Sequence, residues 1–158
     1  MFMQRLLKAE YTTGKPSVLS ADTQSIDILA RTLWGEARGE NLPGIEAVAN
    51  VIINRVKVSQ YHKGFWWGND IIGVCQKPYQ FSCWNKNDPN YFKLQTITGD
   101  DRAFAMCQRI ARRAANGVLA DNTLGATHYH NDTVSPDWAK GETPTVQIGN
   151  HTFYRITR

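Results

Sequence analysis

The chain has 158 residues, of which 42% are hydrophobic and 20% charged, and these values are typical of one globular domain. They exclude a disordered, collagenous or disulfide-scaffold chain, and no apolar run approaches the roughly 18 residues that a membrane-spanning helix needs, so we expect no membrane insertion. The formal net charge of +4 favours a polyanionic partner, and anionic cell-wall polymer, anionic lipid and nucleic acid all fit that charge.

The first 20 residues predict an N-terminal arm, and residues 21–158 predict a single folded domain. Apolar residues in the arm show no sustained period, so neither a helix nor a strand is indicated. Charged and polar side chains also interrupt the apolar stretch that a secretory signal requires. We therefore expect a protein that is made in the cytoplasm without a signal peptide.

Two amphipathic helices are predicted next. The apolar residues of segment 22–38 recur at helical spacing, with Ser20 or Asp22 as N-cap and Gly39 as the stop. A second helix begins at Pro43, a favourable first-turn residue, and continues with a broad apolar face. The two apolar faces predict that these helices pack against each other.

The remainder of the chain combines an aromatic, irregular region with one more helix and a hairpin. Segment 59–99 has aromatic residues spread among Gly, Pro, Asn and Asp, and helical spacing returns over residues 100–116. Alternating residues on either side of Gly149-Asn150 predict a two-residue β-hairpin. The predicted fold class is therefore α+β, mainly α, with a small C-terminal β-hairpin.

Glu36 is the strongest candidate for chemistry. It lies at the C-terminal end of the first predicted helix, on the border of the apolar stripe. The negative end of the helix dipole and partial burial both disfavour the ionised carboxylate, so the pKa of Glu36 should rise and suit a general acid. The alternative is a surface carboxylate paired with Arg38 or Lys57. Glu40, beyond the helix end, is expected to face solvent or to cap.

Four ordered blocks of sequence resemble the SleB/CwlJ family of bacterial cell-wall hydrolases, which is best known from spore-cortex lysis. The blocks include LWGEARGE followed by IEAVANVIINRV, then YQFSCW, GATHYHN and IGNHTFY, and the resemblance covers about residues 26–155. It implies a lysozyme-like fold related to lytic transglycosylases, and a SleB-like catalytic domain over residues 21–158. It also implies action on peptidoglycan glycan strands with one catalytic glutamate, which by position is Glu36.

A single catalytic glutamate matches the supply of acidic residues. Glycosidases of the two-carboxylate type need a second acid across the scissile bond, and the other candidates lie in polar, turn-like sequence. In a lytic transglycosylase one glutamate serves as acid and then as base. We therefore expect cleavage of the bond between N-acetylmuramic acid (MurNAc) and N-acetylglucosamine (GlcNAc) by transglycosylation. Hydrolysis, with a loop aspartate activating water, stays open as the alternative.

The resemblance also implies which residues bind the glycan. Two blocks are expected to line the cleft, Tyr79, Gln80, Phe81 and Ser82 in one and His128, Tyr129, His130 and Asn131 in the other. In that arrangement Tyr129 approaches Glu36. Trp66 or Trp67 is expected to be exposed for stacking on a sugar, and Trp66 is the candidate that we assign to the site. Phe81 could equally belong to the core.

Two other kinds of function also fit the sequence. His128 and His130, two residues apart on an extended segment, point the same way and could bind zinc with His151 or Asp132, as in a zinc-dependent amidase or peptidase. No recognisable motif supplies a third ligand, so we expect no metal or other cofactor. A non-catalytic glycan-binding module is the third reading. Nucleic acid is not expected as a partner, because the aromatic residues are not interleaved with basic ones.

The sequence also bears on cysteine pairing, cellular origin and oligomeric state. Cys75 and Cys83 could close a small disulfide loop or could be reduced and buried. Without a signal peptide or a wall-binding module, the arrangement predicts a phage or prophage lysin that acts on the bacterial cell wall after release. We expect it to act as a monomer.

Overall fold

The computed structural model describes residues 21–158, so the predicted N-terminal arm, residues 1–20, lies outside the described residues. The elements, in chain order, are α1 (Thr23–Ala37), α2 (Leu42–Tyr61), α3 (Ile71–Gln76), a 3-10 turn (Ser82–Trp84), α4 (Tyr91–Thr96), α5 (Arg102–Ala115), β1 (His128–Asn131), a 3-10 turn (Asp137–Ala139), β2 (Val146–Ile148) and β3 (His151–Tyr154).

The three long helices form the core of the molecule. Helix α1 packs mainly against α5 and also against α2 and α3, and the apolar residues that face inward are buried. Side-chain caps define where the helices begin: Asp22 accepts from the Ser25 backbone N–H, Asn41 caps α2 in the same way, and Asp101 caps α5. The three predicted helices are therefore confirmed: α1 and α5 begin and end within two residues of the expected bounds, and α2 begins within one residue of Pro43 but continues to Tyr61, into the region predicted to be irregular.

The C-terminal hairpin is also confirmed, and it gains a third strand. Strand β3 lies in the centre, with β2 on one side and β1 on the other, and both pairings are antiparallel. Phe153 of β3 is fully buried with Ala47, Val51 and Ala126 in a small second cluster between the sheet and α2. The predicted α+β class, mainly α, is correct, and this packing brings β1 next to the helices.

The aromatic region between α2 and α5 folds into short helices and turns. Trp67 is fully buried, and its indole N–H donates to the Arg55 carbonyl and to Ser59 Oγ, whereas Trp66 is 57% exposed. The expectation that one of the two tryptophans would be exposed is therefore correct. The three cysteines, Cys75, Cys83 and Cys107, are all free and buried. Within residues 21–158, no helix has the length and apolar character that crossing a membrane requires.

Candidate active site

Glu36 is partly buried in the last turn of α1, where two groups from distant segments reach its carboxylate. The backbone N–H of Cys83 donates to Oε1 over 3.4 Å, and the Tyr129 hydroxyl donates to Oε2 over 3.5 Å. Burial raises the pKa of Glu36, and these hydrogen bonds oppose that rise because they stabilise the charged form. Glu36 therefore holds its proton to a higher pH than an exposed glutamate does.

The expected ion-pair alternatives for Glu36 are wrong. Arg38 donates instead to the carbonyls of Trp34 and Gly35, and its guanidinium lies 4.1 Å from the centre of the Trp34 ring. In the part of the chain that the structure describes, Glu36 forms no ion pair with Lys57 or any other cation within 4.0 Å. Its carboxylate is held by hydrogen bonds alone.

Glu40 does not face solvent as expected. Its side chain is only 12% exposed, and its Oε1 lies 3.5 Å from Nδ1 of His151. Gly149, in the hairpin turn with φ of 58°, covers this carboxylate so closely that a Cβ there would lie 2.8 Å from Glu40 Oε2. The His151 ring in turn lies 4.9 Å from the Tyr129 ring. Glu40 therefore supports the back of the site.

A pocket of about 260 Å³ opens beside Glu36. It is lined by Glu36, Arg55, Gln80, Phe81, His128, Tyr129 and Trp138. Glu36 is the only carboxylate among these described residues. Phe81 is 5% exposed and packs against the core while it lines the pocket, so the two roles weighed for it are combined in one side chain.

Arg55 is a pocket residue that the sequence analysis missed. It is 8% exposed, its Nε donates to the Thr127 carbonyl over 2.7 Å, and its guanidinium lies 5.1 Å from the centre of the Trp67 ring. Burial lowers the pKa of Arg55 to about 10, so the group stays charged at neutral pH. Its position on α2 could have predicted that it is buried, because Arg55 continues the buried row of Val48 and Ile52 at helical spacing.

The Tyr79–Ser82 strip divides between two places. Gln80 and Phe81 reach the Glu36 pocket, whereas Tyr79 is 91% exposed and lines a separate depression of about 580 Å³ together with Trp84. Ser82 is exposed at the start of a 3-10 turn and does not line the Glu36 pocket. The structure therefore brings Gln80 and Phe81, but not Tyr79 and Ser82, to the Glu36 pocket, and the turn at Tyr79, with φ of 64°, directs that residue away.

The histidine strand β1 also contributes unequally. His128 lines the pocket, and its pKa is lowered to about 4, mainly by burial and then by the Arg55 charge, so it is neutral at pH 7. His130 packs on Trp138, with ring centres 5.7 Å apart, and is not among the residues that line the pocket. Asn131, the last residue of β1, is exposed; its side chain accepts from the Thr133 backbone N–H in the turn that follows, and it does not line the pocket. Trp66 does not line the pocket either.

The hydrogen bonds of the two histidines do not support a zinc site. Nδ1 of His130 bonds the Asn131 carbonyl over 2.8 Å, and Nε2 bonds the Tyr154 hydroxyl over 2.9 Å, so both ring nitrogens have protein partners. Nδ1 of His128 bonds Thr127 Oγ1 over 2.9 Å. Among residues 21–158, no three His, Cys, Asp or Glu side chains are grouped so that they could hold a metal ion.

The chain belongs to the family described as Cell Wall Hydrolase, which it matches over residues 39–154, more than half of its length. Glu36 lies just before this matched segment. The chain is 30% identical over 91% of its length to a spore cortex-lytic enzyme of Halalkalibacterium halodurans, and 29% identical over 81% to that of Bacillus subtilis. It spans 38% and 36% of the length of these two relatives.

Solved structures show the same fold. The chain superposes on the catalytic domain of the Bacillus cereus SleB protein with a TM-score of 0.65 and 28% identity, over 90% of this chain and 99% of that one. The catalytic domain of the germination-specific lytic transglycosylase SleB from Bacillus anthracis matches with the same TM-score and identity, over 86% and 98%. The predicted resemblance to the SleB/CwlJ family and the predicted fold class are confirmed.

The expected phage or prophage origin is wrong. The matching relatives are spore cortex-lytic enzymes of Bacillus subtilis and similar bacteria. The expectation depended on the absence of a leader and of a wall-binding module, and such an absence carries no information about the source of a chain.

Proposed function

We propose that residues 21–158 form the catalytic domain of a lytic transglycosylase that cleaves the MurNAc-GlcNAc bond of peptidoglycan glycan strands. Glu36 is the catalytic residue. The proposed substrate is cortex peptidoglycan, because the relatives from Halalkalibacterium halodurans and Bacillus subtilis are spore cortex-lytic enzymes.

The observation that carries this proposal is the single carboxylate of the pocket. Glu36 is the only acidic residue among those that line it, and burial raises its pKa so that the protonated form persists to a higher pH than in an exposed glutamate. A two-carboxylate glycosidase needs its second acid within about 5 to 9.5 Å, on the other side of the scissile bond. The charge of Asp88 also raises the pKa of Glu36, but Asp88 does not line the pocket. A pocket with one acid supports a reaction in which one group serves twice.

The proposed reaction has two proton transfers and consumes no water. Protonated Glu36 first donates its proton to the glycosidic oxygen, the bond from that oxygen to C1 of the muramic acid breaks, and the GlcNAc end leaves as an alcohol. The resulting Glu36 carboxylate then takes the proton from the 6-hydroxyl of the same muramic acid, whose oxygen bonds to C1. The product is a 1,6-anhydromuramic acid end, and Glu36 has regained its proton.

Neighbouring groups stabilise the ionised form of Glu36 and provide a surface for the sugar. The Tyr129 hydroxyl and the Cys83 N–H each donate to its carboxylate, so they stabilise the charge that appears after the first transfer. Trp138 and Phe81 supply apolar surface on which a sugar ring can pack. His128, neutral at pH 7, adds no second acid.

Mass spectrometry of fragments from digested cortex peptidoglycan tests the proposal. We expect products that end in 1,6-anhydromuramic acid, and we expect the Glu36→Gln variant to release none above background. Fragments with reducing muramic acid would instead show a muramidase. Freed stem peptides would instead show an amidase or peptidase. If dialysis of the protein against a chelator abolishes their release, that enzyme depends on a metal. Binding to peptidoglycan without any fragments would show a glycan-binding module.

A further inference from the structure

Two residues that line the Glu36 pocket each have a buried polar atom without a hydrogen-bond partner. These atoms are Nη1 of Arg55, which can only donate, and Oε1 of Gln80, which can only accept. Across residues 21–158 only three buried side-chain atoms lack a partner, and the third, Nδ1 of His151, lies beside Glu40. Two of the three therefore belong to residues of one pocket, and they are of opposite type.

Hydrogen bonds to the protein hold Nε2 of Gln80 and Nε of Arg55. Nε2 of Gln80 donates to the carbonyls of Trp67 and Val74, over 3.1 and 2.8 Å, so the amide cannot be reversed and Oε1 must be its free end. Nε of Arg55 donates to the Thr127 carbonyl. No carboxylate lies within 4.0 Å of this guanidinium in the described part of the chain.

Such an arrangement costs stability unless a ligand or an ordered water completes it, because buried polar groups are normally paired. The missing partner must present an acceptor to Arg55 and a donor to Gln80. A carboxylate satisfies only the arginine, and a single hydroxyl reaches both only if one oxygen lies between them. A secondary amide presents its carbonyl oxygen and its N–H on adjacent bonds, so it supplies both.

We propose that Arg55 and Gln80 together bind the 2-acetamido group of a glycan sugar, with Arg55 Nη1 donating to its carbonyl oxygen and Gln80 Oε1 accepting from its N–H. This inference rests on the proposed function, since both sugars of the peptidoglycan strand carry that group. The guanidinium lies over the Trp67 and Phe81 rings, 5.1 and 5.9 Å from their centres, so its own position is fixed before a sugar enters.

The pair would also discriminate against sugars that have lost the acetyl group. De-N-acetylation removes the carbonyl oxygen and leaves an ammonium, so Arg55 loses its acceptor and faces a second positive charge. A site built to hydrogen-bond a substrate group rejects an analogue that lacks it far more strongly than an apolar pocket does. Arg55 should contribute most of this discrimination, because Gln80 Oε1 can still accept from an ammonium.

The first experiment compares fully N-acetylated glycan fragments with chemically de-N-acetylated ones on the wild-type domain, so it requires no variant. We expect kcat/KM to be at least about a hundredfold higher for the N-acetylated fragments. The Arg55→Met variant should reduce this ratio to about tenfold or less, and Gln80→Leu should lower kcat/KM for the N-acetylated fragments with a smaller effect on the ratio.

Arg31→Met is the matched control, because Arg31 is also partly buried and hydrogen-bonded to backbone carbonyls but lies outside the pocket. It should leave the ratio unchanged. A wild-type ratio within threefold of unity would overturn the proposal, and so would an unchanged ratio in folded Arg55→Met.

A binding measurement separates this proposal from the proposed function. Calorimetry on the Glu36→Gln variant with chitin-type oligosaccharides and their free-amine counterparts reports recognition without cleavage. If the wild type cleaves neither substrate, the proposed function fails, but preferential binding of the N-acetylated oligosaccharide, abolished by Arg55→Met, still supports the pair. Equal binding of both oligosaccharides contradicts it whether or not the domain is catalytic.

Discussion

The Tyr129 hydroxyl donates a hydrogen bond to Oε2 of Glu36 across 3.5 Å, although 93 residues of chain separate the two. Burial raises the pKa of Tyr129 well above its ordinary value, so the hydroxyl keeps its proton and remains a donor throughout the working pH range. This bond lowers the pKa of Glu36 against the larger effect of burial. Strand β1 therefore takes part in setting the pH at which α1 delivers its proton.

Removing that hydroxyl should shift the pH dependence of cleavage. In Tyr129→Phe the Glu36 carboxylate loses a donor, so the pKa of Glu36 rises further and the protonated form persists to higher pH. We expect the alkaline limb of kcat/KM to move upward and the maximal rate to fall by about tenfold. A pH–rate profile checks this. Tyr154→Phe, which removes a hydroxyl bonded to His130, should leave the limb in place; a downward shift in Tyr129→Phe would contradict the assignment.

Replacing Glu36 by Gln keeps the size of the side chain but removes the transferable proton. Cleavage should fall by at least about a hundredfold, the usual contribution of general acid-base catalysis. Release of soluble fragments from cortex peptidoglycan measures it. Glu46→Gln is the matched control, since Glu46 lies on α2 outside the pocket and, among residues 21–158, forms an ion pair only with Arg113, at 3.9 Å. Near wild-type activity in Glu36→Gln would remove Glu36 from the mechanism.

The same substitution should change how stability depends on pH. The pKa of folded Glu36 is raised above its ordinary 4.5, so the folded state holds this proton more tightly than the unfolded chain does. This tighter proton binding stabilises the folded state fully below pH 4.5, and the stabilisation is lost as pH rises through the folded-state pKa of Glu36. The melting temperature of Glu36→Gln, relative to wild type, should therefore increase from pH 4 to pH 7, which a series of calorimetric scans would show.

Gly35, beside Glu36, should not tolerate a methyl group. A Cβ at this position would lie 2.5 Å from Cβ of Cys83 and 2.9 Å from its Sγ, so the 3-10 turn whose N–H bonds Glu36 would have to move. We expect Gly35→Ala to lower the free energy of unfolding by about 1 to 3 kcal/mol and to reduce cleavage. Urea unfolding measures the first effect. Gly39→Ala, where a Cβ meets nothing within 4 Å, should change the stability little.

The cysteines should behave as inert thiols. All three are free and buried, and burial raises the pKa of Cys75 and of Cys107 to about 12 and that of Cys83 higher still. Since the thiolate is the reactive form, alkylation of the native domain at pH 8 should be slow at every site and complete only in denaturant. Mass spectrometry counts the labels. A melting temperature that falls on addition of reductant would instead indicate a Cys75–Cys83 bridge.

The candidate site could be predicted only in part. The helix-edge argument located Glu36, and the family resemblance supplied Gln80, Phe81, His128 and Tyr129, all of which line the pocket. That resemblance identified whole blocks of sequence, so it could not separate Gln80 from its neighbour Tyr79, which a turn with positive φ directs into another depression. Which side of a turn a residue faces depends on backbone angles that its own identity does not determine.

The sequence by itself determined the three long helices and the hairpin turn, and it offered Asp22 as one of two N-caps for α1, because helical periodicity, N-cap hydrogen bonds and a Gly-Asn turn each depend on residues a few positions apart. Only the tertiary structure decided what meets Glu36. Tyr129 and Cys83 reach its carboxylate from 93 and 47 residues away, and Arg55 becomes a pocket residue because β1 and the Trp67 turn close around α2. Such contacts depend on how separate elements pack, and no local pattern in the chain records that packing.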